Sequence, residues 1–388
     1  MTKKLYVVLV LALFLFQFAV VNAADQPDQK TVKQITKLIK SAEKDVKKNQ
    51  FDKALEVYNQ ALALSTEYAP LHLAMAQMYD KQKKFDDAIA SLEKAVTLQP
   101  DLTPAIQMLT NTLMGMGRNM AQQKQPEKSN QYYVKMLQIP ALQTASKDQY
   151  IIAAFQAGIN YTQLQELEKA NECLAKVLAV QDALTLNKKA YVNSIYQMGL
   201  NYFNLKKYKE AEKYFNQILS MEEQLKPEYL RVFSMSIYLS GVNANQMGET
   251  EKSNTALLKY LDLTKENPTD QFAPIANYMV GSNNFDLLEK EIAPIKEDEK
   301  EKEKKTKIAE IAKKHTDIIP YLEKAIQANP NLEPAYMILG NYYYYSKDLE
   351  KAILAYQELL ARFPGSSDAV SYKSFLDNLK KEQEIEKK

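Results

Sequence analysis

The sequence predicts an all-α protein, a solenoid of about eight antiparallel helical hairpins. Three observations carry that prediction. Gly is scarce, 9 in 388 residues, while Lys, Glu, Ala, Leu and Gln abound, a composition that favours helix over a loop-rich β fold. A pattern of small and large apolar residues recurs along the chain at fixed offsets. Polar turns, and prolines after the second helix of several units, punctuate that pattern. With 46% hydrophobic and 25% charged residues the chain has an ordinary globular balance, and its net charge of +2 is far from that of a nucleic-acid binder.

The repeat is clearest near the C-terminus. Gly340 is followed by Tyr343, Ala352, Tyr356, Leu359 and Pro364. Ala76, Tyr79, Ala88, Leu92, Ala95 and Pro100 keep the same spacing. So do Gly158, Tyr161, Ala170, Leu174, Val177 and Gly199, Tyr202, Ala211, Phe215, Ile218. Looser copies start at Ala42, Gly117 and Gly241, and a partial copy keeps Leu322, Ala325 and Pro330. The offsets suit two antiparallel helices. The small residue in the first helix and the alanine early in the second let the backbones approach, and the larger positions fill the seam. "KKFDD", "KKYKE" and "SKDLE" read as the turns within hairpins.

These residues resemble the tetratricopeptide repeat family over most of the chain, from about Ile35 to Phe363. The resemblance implies a right-handed superhelix. The step from Ala42 to Ala76 is 34 residues, the family's usual unit, but the next steps are 41, 41, 41 and 42. Seven extra residues are about two helical turns, so they leave the apolar faces in register. They predict longer helices or longer loops between units. The domain order expected is a signal peptide over 1–23, a short segment over 24–34, a first repeat block over 35–268, a degenerate helix with a charged insertion over 269–316, a second block over 317–364, and a capping helix with a charged tail over 365–388. The mixed Glu/Lys run at 294–315 reads as a solvated helix or linker.

Lys3 and Lys4, the apolar run over 5–21 and the small residue of "VNA" at Ala23 read as a cleaved export signal. An uncleaved inner-membrane anchor is the alternative, since the run approaches spanning length. No Cys follows it, and the single Cys173 excludes an intrachain disulfide, so the fold is held by packing alone. The expected location is the periplasm or outer envelope of a bacterial cell.

No constellation proposes catalysis, a metal site or a cofactor. His72 and His315 lie far apart, and no HExxH, CxxC, GxSxG or phosphate-binding glycine loop is present. The chain is therefore read as a non-enzyme. The family resemblance implies instead a concave surface built by the first helices, at positions three before the small residue and one, four and five after it. Carried over, these positions select Phe155, Ile159, Tyr196, Leu200, Phe203, Tyr238, Val242, Asn245, Met337, Asn341, Tyr344 and Tyr345 as partner-binding residues. The row three before the small residue, Leu73, Met114, Phe155, Tyr196, Tyr238 and Met337, contains no Lys. It disfavours the carboxylate clamp of chaperone-binding members and favours an apolar, aromatic groove for a peptide or amphipathic helix. The same residues are alternatively packing against a neighbouring repeat. The function expected is a protein-interaction scaffold without nucleic acid as partner; the alternative is an envelope assembly, secretion or chaperone-like factor handling unfolded chains. Within "GNYYYY", Tyr343 is assigned to the seam, Tyr342 to a flank, and Tyr344 and Tyr345 to the concave face.

Overall fold

A computed structural model describes residues 27–225, 228–267, 269–295 and 300–386. The expected signal segment, 1–23, lies outside them. Every regular element among the described residues is a helix. The chain divides into two compact units, one ending at Ser194 and one beginning at Ile195, a division that no compositional break announces.

The first unit opens with three hairpins: α1 (Gln29–Lys47) with α2 (Phe51–Leu64), α3 (Ala69–Lys81) with α4 (Phe85–Leu98), and α5 (Thr103–Gln122) with α6 (Pro126–Leu137). The short α7 (Pro140–Ala145) leads to the hairpin α8 (Lys147–Gln163) and α9 (Leu167–Ala179), and α10 (Ala183–Leu186) leads to α11 (Lys188–Asn204), within which the second unit begins. There follow α12 (Tyr208–Leu219), the short α13 (Glu222–Leu225), and the hairpin α14 (Leu230–Gln246) with α15 (Thr250–Thr264). Then come α16 (Ala273–Ile292), α17 (Glu301–Ala312), α18 (Ile318–Ala328), α19 (Glu333–Tyr345), α20 (Leu349–Arg362) and α21 (Ala369–Glu386).

The longer period has a visible origin. In the 34-residue step α3 has 13 residues. In the first 41-residue step the extra length goes into α5, which has 20. Afterwards it is shared between first helices of 17 residues, α8, α11 and α14, and the short helices α7, α10 and α13 before them.

The small positions are set by close approach. A Cβ at Gly158 would sit 2.6 Å from Leu174 Cδ2, and one at Gly199 2.6 Å from Phe215 Cε1. Real side chains never come so near, so in these hairpins the second-helix knob sits against a bare backbone. Where the first two hairpins carry alanine, Ala42 and Ala76 are fully buried. Each uninterrupted hairpin turns through one left-handed residue: Asn49, Lys83, Lys124, Gln165, Lys206, Gly248 and Lys347. The next residue's N–H returns to a carbonyl five positions back, as Lys84 does to Tyr79 at 2.9 Å and Asp348 to Tyr343 at 2.9 Å. That bond satisfies a carbonyl the helix end would leave orphaned. Six of the seven turns make it without glycine.

The insertion was expected between two blocks, and it falls inside a hairpin. A Cβ at Gly281 of α16 would meet Leu322 of α18 at 2.7 Å. The helix read as degenerate and the partial copy at Leu322 are therefore the two halves of one hairpin. Its halves are 41 residues apart at this contact, against 16 elsewhere, and α17 lies in the excess. The array continues through 269–316 rather than stopping there and restarting at 317. At the end, α21 stacks on α20 and α19, with Phe375 4.9 Å from Tyr356 and 5.3 Å from Tyr344.

Two glycines of unlike surroundings test this account. Gly158→Ala is expected to destabilise the first unit by about 1–3 kcal/mol through overpacking. Gly115→Ala, where nothing lies within 4 Å of an added Cβ, is expected to stabilise it by about 0.5–1 kcal/mol through helix propensity. Urea titration of helicity separates the two, and an equal sign for both would refute the close-approach reading.

Candidate interaction face

The residues expected on the concave face occupy one kind of helix position but several kinds of environment. In the first unit, Phe155 and Ile159 of α8 are half-buried, and Phe155 packs on the edge of the unit's core. The corresponding earlier positions differ: Leu73 is half-buried, Met114 is buried, and Gln77 and Arg118 are exposed. In the second unit, Tyr196, Leu200 and Phe203 of α11 are half-buried, with Phe203 5.6 Å from Tyr208.

Farther along the second unit, the same positions make contacts within the protein. Tyr238 is buried, 5.2 Å from both Tyr260 and Phe272. Val242 is half-buried. Asn245 donates its amide to Asn283 Oδ1 at 2.6 Å. Asn341 Oδ1 accepts from the Tyr356 hydroxyl at 2.6 Å, and Met337 Sδ lies 3.9 Å from the Tyr372 hydroxyl. Tyr344 meets Phe375 edge-on, and Tyr345 stacks on Phe285 at 5.9 Å while its hydroxyl donates to Glu289. Tyr342 and Tyr343 are both buried. Tyr342 is thus core rather than flank: its hydroxyl donates to the Ala312 carbonyl at 3.3 Å.

A set of buried asparagines escaped sequence reading. Asn160, two residues after Gly158, donates to Ser129 Oγ at 3.0 Å and to Asn130 Oδ1 at 2.9 Å in the preceding hairpin. Asn283, two after Gly281, does the same to Ser253 Oγ at 3.1 Å and Asn254 Oδ1 at 2.8 Å. Asn243, two after Gly241, donates to the Tyr208 carbonyl at 2.9 Å. The signal was present as Asn at one offset from Gly117, Gly158, Gly199, Gly241 and Gly281, although the first of these, Asn119, is exposed. The amides of Asn160, Asn243 and Asn283 tie one hairpin to the one before and so pair donors that burial would otherwise strand.

Among the described residues no group of three or more His, Cys, Asp or Glu is placed to hold a metal ion. His72 donates from Nε2 to the Thr66 carbonyl at 2.7 Å, and His315 pairs with Glu291. Burial pushes the Cys173 thiol up to about 11, away from the thiolate that makes a nucleophile. No helix of the described residues is long and apolar enough to cross a membrane.

Three tetratricopeptide repeat family models match the chain, over residues 46–118, 192–225 and 334–366. No curated protein matches it. Among solved structures it is similar to YrrB, described as a tetratricopeptide repeat protein with an unusual peptide-binding site, at 17% identity over 62% of this chain and 97% of that one, with a TM-score of 0.40. It is also similar to a tetratricopeptide repeat protein of Parabacteroides merdae, at 18% identity over 80% and 98%, TM-score 0.34. PilF of Pseudomonas aeruginosa follows at 16% identity over 62% and 96%, TM-score 0.29. The interrupted hairpin around Gly281 lies in none of the matched ranges.

Two measurements check this chemistry. Asn283→Ala removes the amide donor to Ser253 and Asn254 and the acceptor for Asn245, and is expected to cost about 1–3 kcal/mol in thermal or urea unfolding. Burial first, then the Glu43 charge, raises Tyr58 to about 12; burial and the Glu333 hydrogen bond raise Tyr372 to about 12. Unfolded tyrosine ionises near about 10. Above that pH the unfolded chain gives up protons that the folded chain keeps. Stability is therefore whole below about pH 10 and falls as pH rises toward about 12. Tyrosinate absorbance should lag in the native protein and catch up on unfolding; tyrosines all titrating normally in the native state would contradict it.

Proposed function

We propose, from the premise that this chain is a tetratricopeptide-repeat protein, that it binds a peptide or helix of a protein partner on the faces of its first helices. Its repeats make it a protein-interaction scaffold. The finer reading rests on one observation: Phe155 in the first unit, and Tyr196, Leu200 and Phe203 in the second, stay half-buried rather than sealed in a core. Half-buried aromatics offer apolar area that a partner can finish covering, and rings lose little conformational freedom on contact. The absence of Lys three positions before the small residue argues for an apolar segment over a terminal carboxylate. The scaffold acts without chemistry of its own.

We place this scaffold in the bacterial cell envelope, on the strength of Lys3, Lys4, the apolar run over 5–21 and Ala23. Mass spectrometry of protein from cells should then find a mature chain beginning at Ala24; an intact chain held in the inner membrane would replace the export reading with an anchor.

The binding reading is tested by in-cell crosslinking with the variant Phe155→Ala, Tyr196→Ala, Phe203→Ala. Loss of an aromatic anchor costs about 2 kcal/mol or more in an interface, or roughly thirtyfold in affinity. The variant should keep its helicity and lose its crosslinked partner. Capture at the wild-type level would overturn the assignment, and indiscriminate retention of denatured polypeptides would favour a chaperone-like role.

A further inference from the structure

The charged insertion is not a free linker. Helix α17, "EKEKKTKIAEIA", rests against α16 and α19. Lys305 Nζ lies 2.6 Å from Glu382 Oε1 on α21. Lys347 Nζ, in the turn after α19, donates to Thr306 Oγ1 at 3.2 Å. The Tyr342 hydroxyl reaches the Ala312 carbonyl. Between these tethers, Ile308 closes a cavity of 60 Å³ with Tyr344, Tyr345 and Leu349.

The helix is poorly anchored for its length. Only Ala309 and Ala312 of its 12 residues are buried. A helix of this size is marginal in water by itself, and two buried alanines with the half-buried Ile308 and Ile311 cover little apolar area. Its order therefore depends on the seat it occupies. That seat has a definite chemistry: two tyrosine rings with the Glu382 carboxylate on one side and the Lys347 ammonium on the other. It takes a short helix with small apolar side chains toward the rings, a basic residue toward Glu382 and an acceptor toward Lys347. Tyr344 and Tyr345 are also positions at which the repeat pattern expects a partner.

We propose that this seat is a helix-docking site of the scaffold and that α17 is its resident occupant, so that a Lys-bearing amphipathic helix of a partner binds there by displacing α17. The proposal rests on the scaffold reading. A segment tethered beside its own site competes at high effective concentration, so the seat is closed to weak ligands and open to ones that match it better.

The test uses the full chain and, as probe, a labelled peptide of residues 300–315. Wild type should bind it weakly, because α17 already fills the seat. Lys305→Glu repels the resident helix from Glu382 but leaves the seat intact, and should tighten peptide binding about tenfold. Ile308→Asp, which also alters only the resident helix, should do the same. Lys305→Glu with Glu382→Lys restores the internal pair and turns the seat against the peptide's own lysine, so binding should fall back to the wild-type level. Hydrogen exchange in α17 should quicken in both single variants and recover in the double, with α19 and α20 unchanged. Equal peptide affinity across all four proteins, or exchange in α17 that ignores Lys305→Glu, would overturn the proposal. No cellular partner is needed, so failure of partner capture and failure of this experiment are separate results.

Discussion

Most of the hairpins depend on one steric condition: a second-helix knob pressed onto a first-helix backbone that has no Cβ to spare. Leu174 on Gly158, Phe215 on Gly199 and Leu322 on Gly281 are three instances of it. The knob's size is free, from Leu to Phe to Tyr, because the seam around it adapts. At these glycines the bare backbone is not free, because any atom added there overlaps the ring or the isobutyl group, whereas the first two hairpins hold Ala42 and Ala76 at the same position. Once that contact is made, the crossing of the two helices is set, and the left-handed turn need only close it.

This explains why the interrupted hairpin survives its interruption. The contact between Gly281 and Leu322 joins residues far apart in sequence, and loop-closure cost grows only slowly with loop length. An insertion at the turn is cheaper than one within either helix, where it would rotate the knob off its backbone. The helix that grew there found tyrosines and a carboxylate within reach.

Much of the fold was legible because the steric condition leaves a mark at fixed offsets. Small residue, turn and knob could be read in most hairpins from letters alone. The hairpin around Gly281 could not, since its halves are separated by a charged helix and the eye reads them as two fragments. The asparagines were overlooked for another reason. Asn160 and Asn283 look like any polar residue on a helix, and only their partners in the preceding hairpin, Ser129 with Asn130 and Ser253 with Asn254, show them to be internal. The face residues were legible as positions and not as environments. Offset from a glycine places Tyr238 and Tyr196 alike, but Phe272, from the irregular segment before α16, packs on the first and helps to bury it, while the second stays half-buried. Such burial depends on connections between hairpins, which the pattern does not encode.

The asparagine contacts bear on how such an array can lengthen. Asn160 donates from one hairpin, and its acceptors Ser129 and Asn130 sit in the one before. The segment from Gly241 to Gly281 holds a donor, Asn243, and the acceptors Ser253 and Asn254 that the following Asn283 uses. Duplicating it in a gene creates a junction already satisfied on both sides, with no polar group stranded in the interior. A copy of the shorter first unit, around Ala42 and Ala76, brings no such donor, since Lys44 and Met78 stand at that offset. Growth by tandem copying is thus open to a longer unit that carries both the donor and its acceptors.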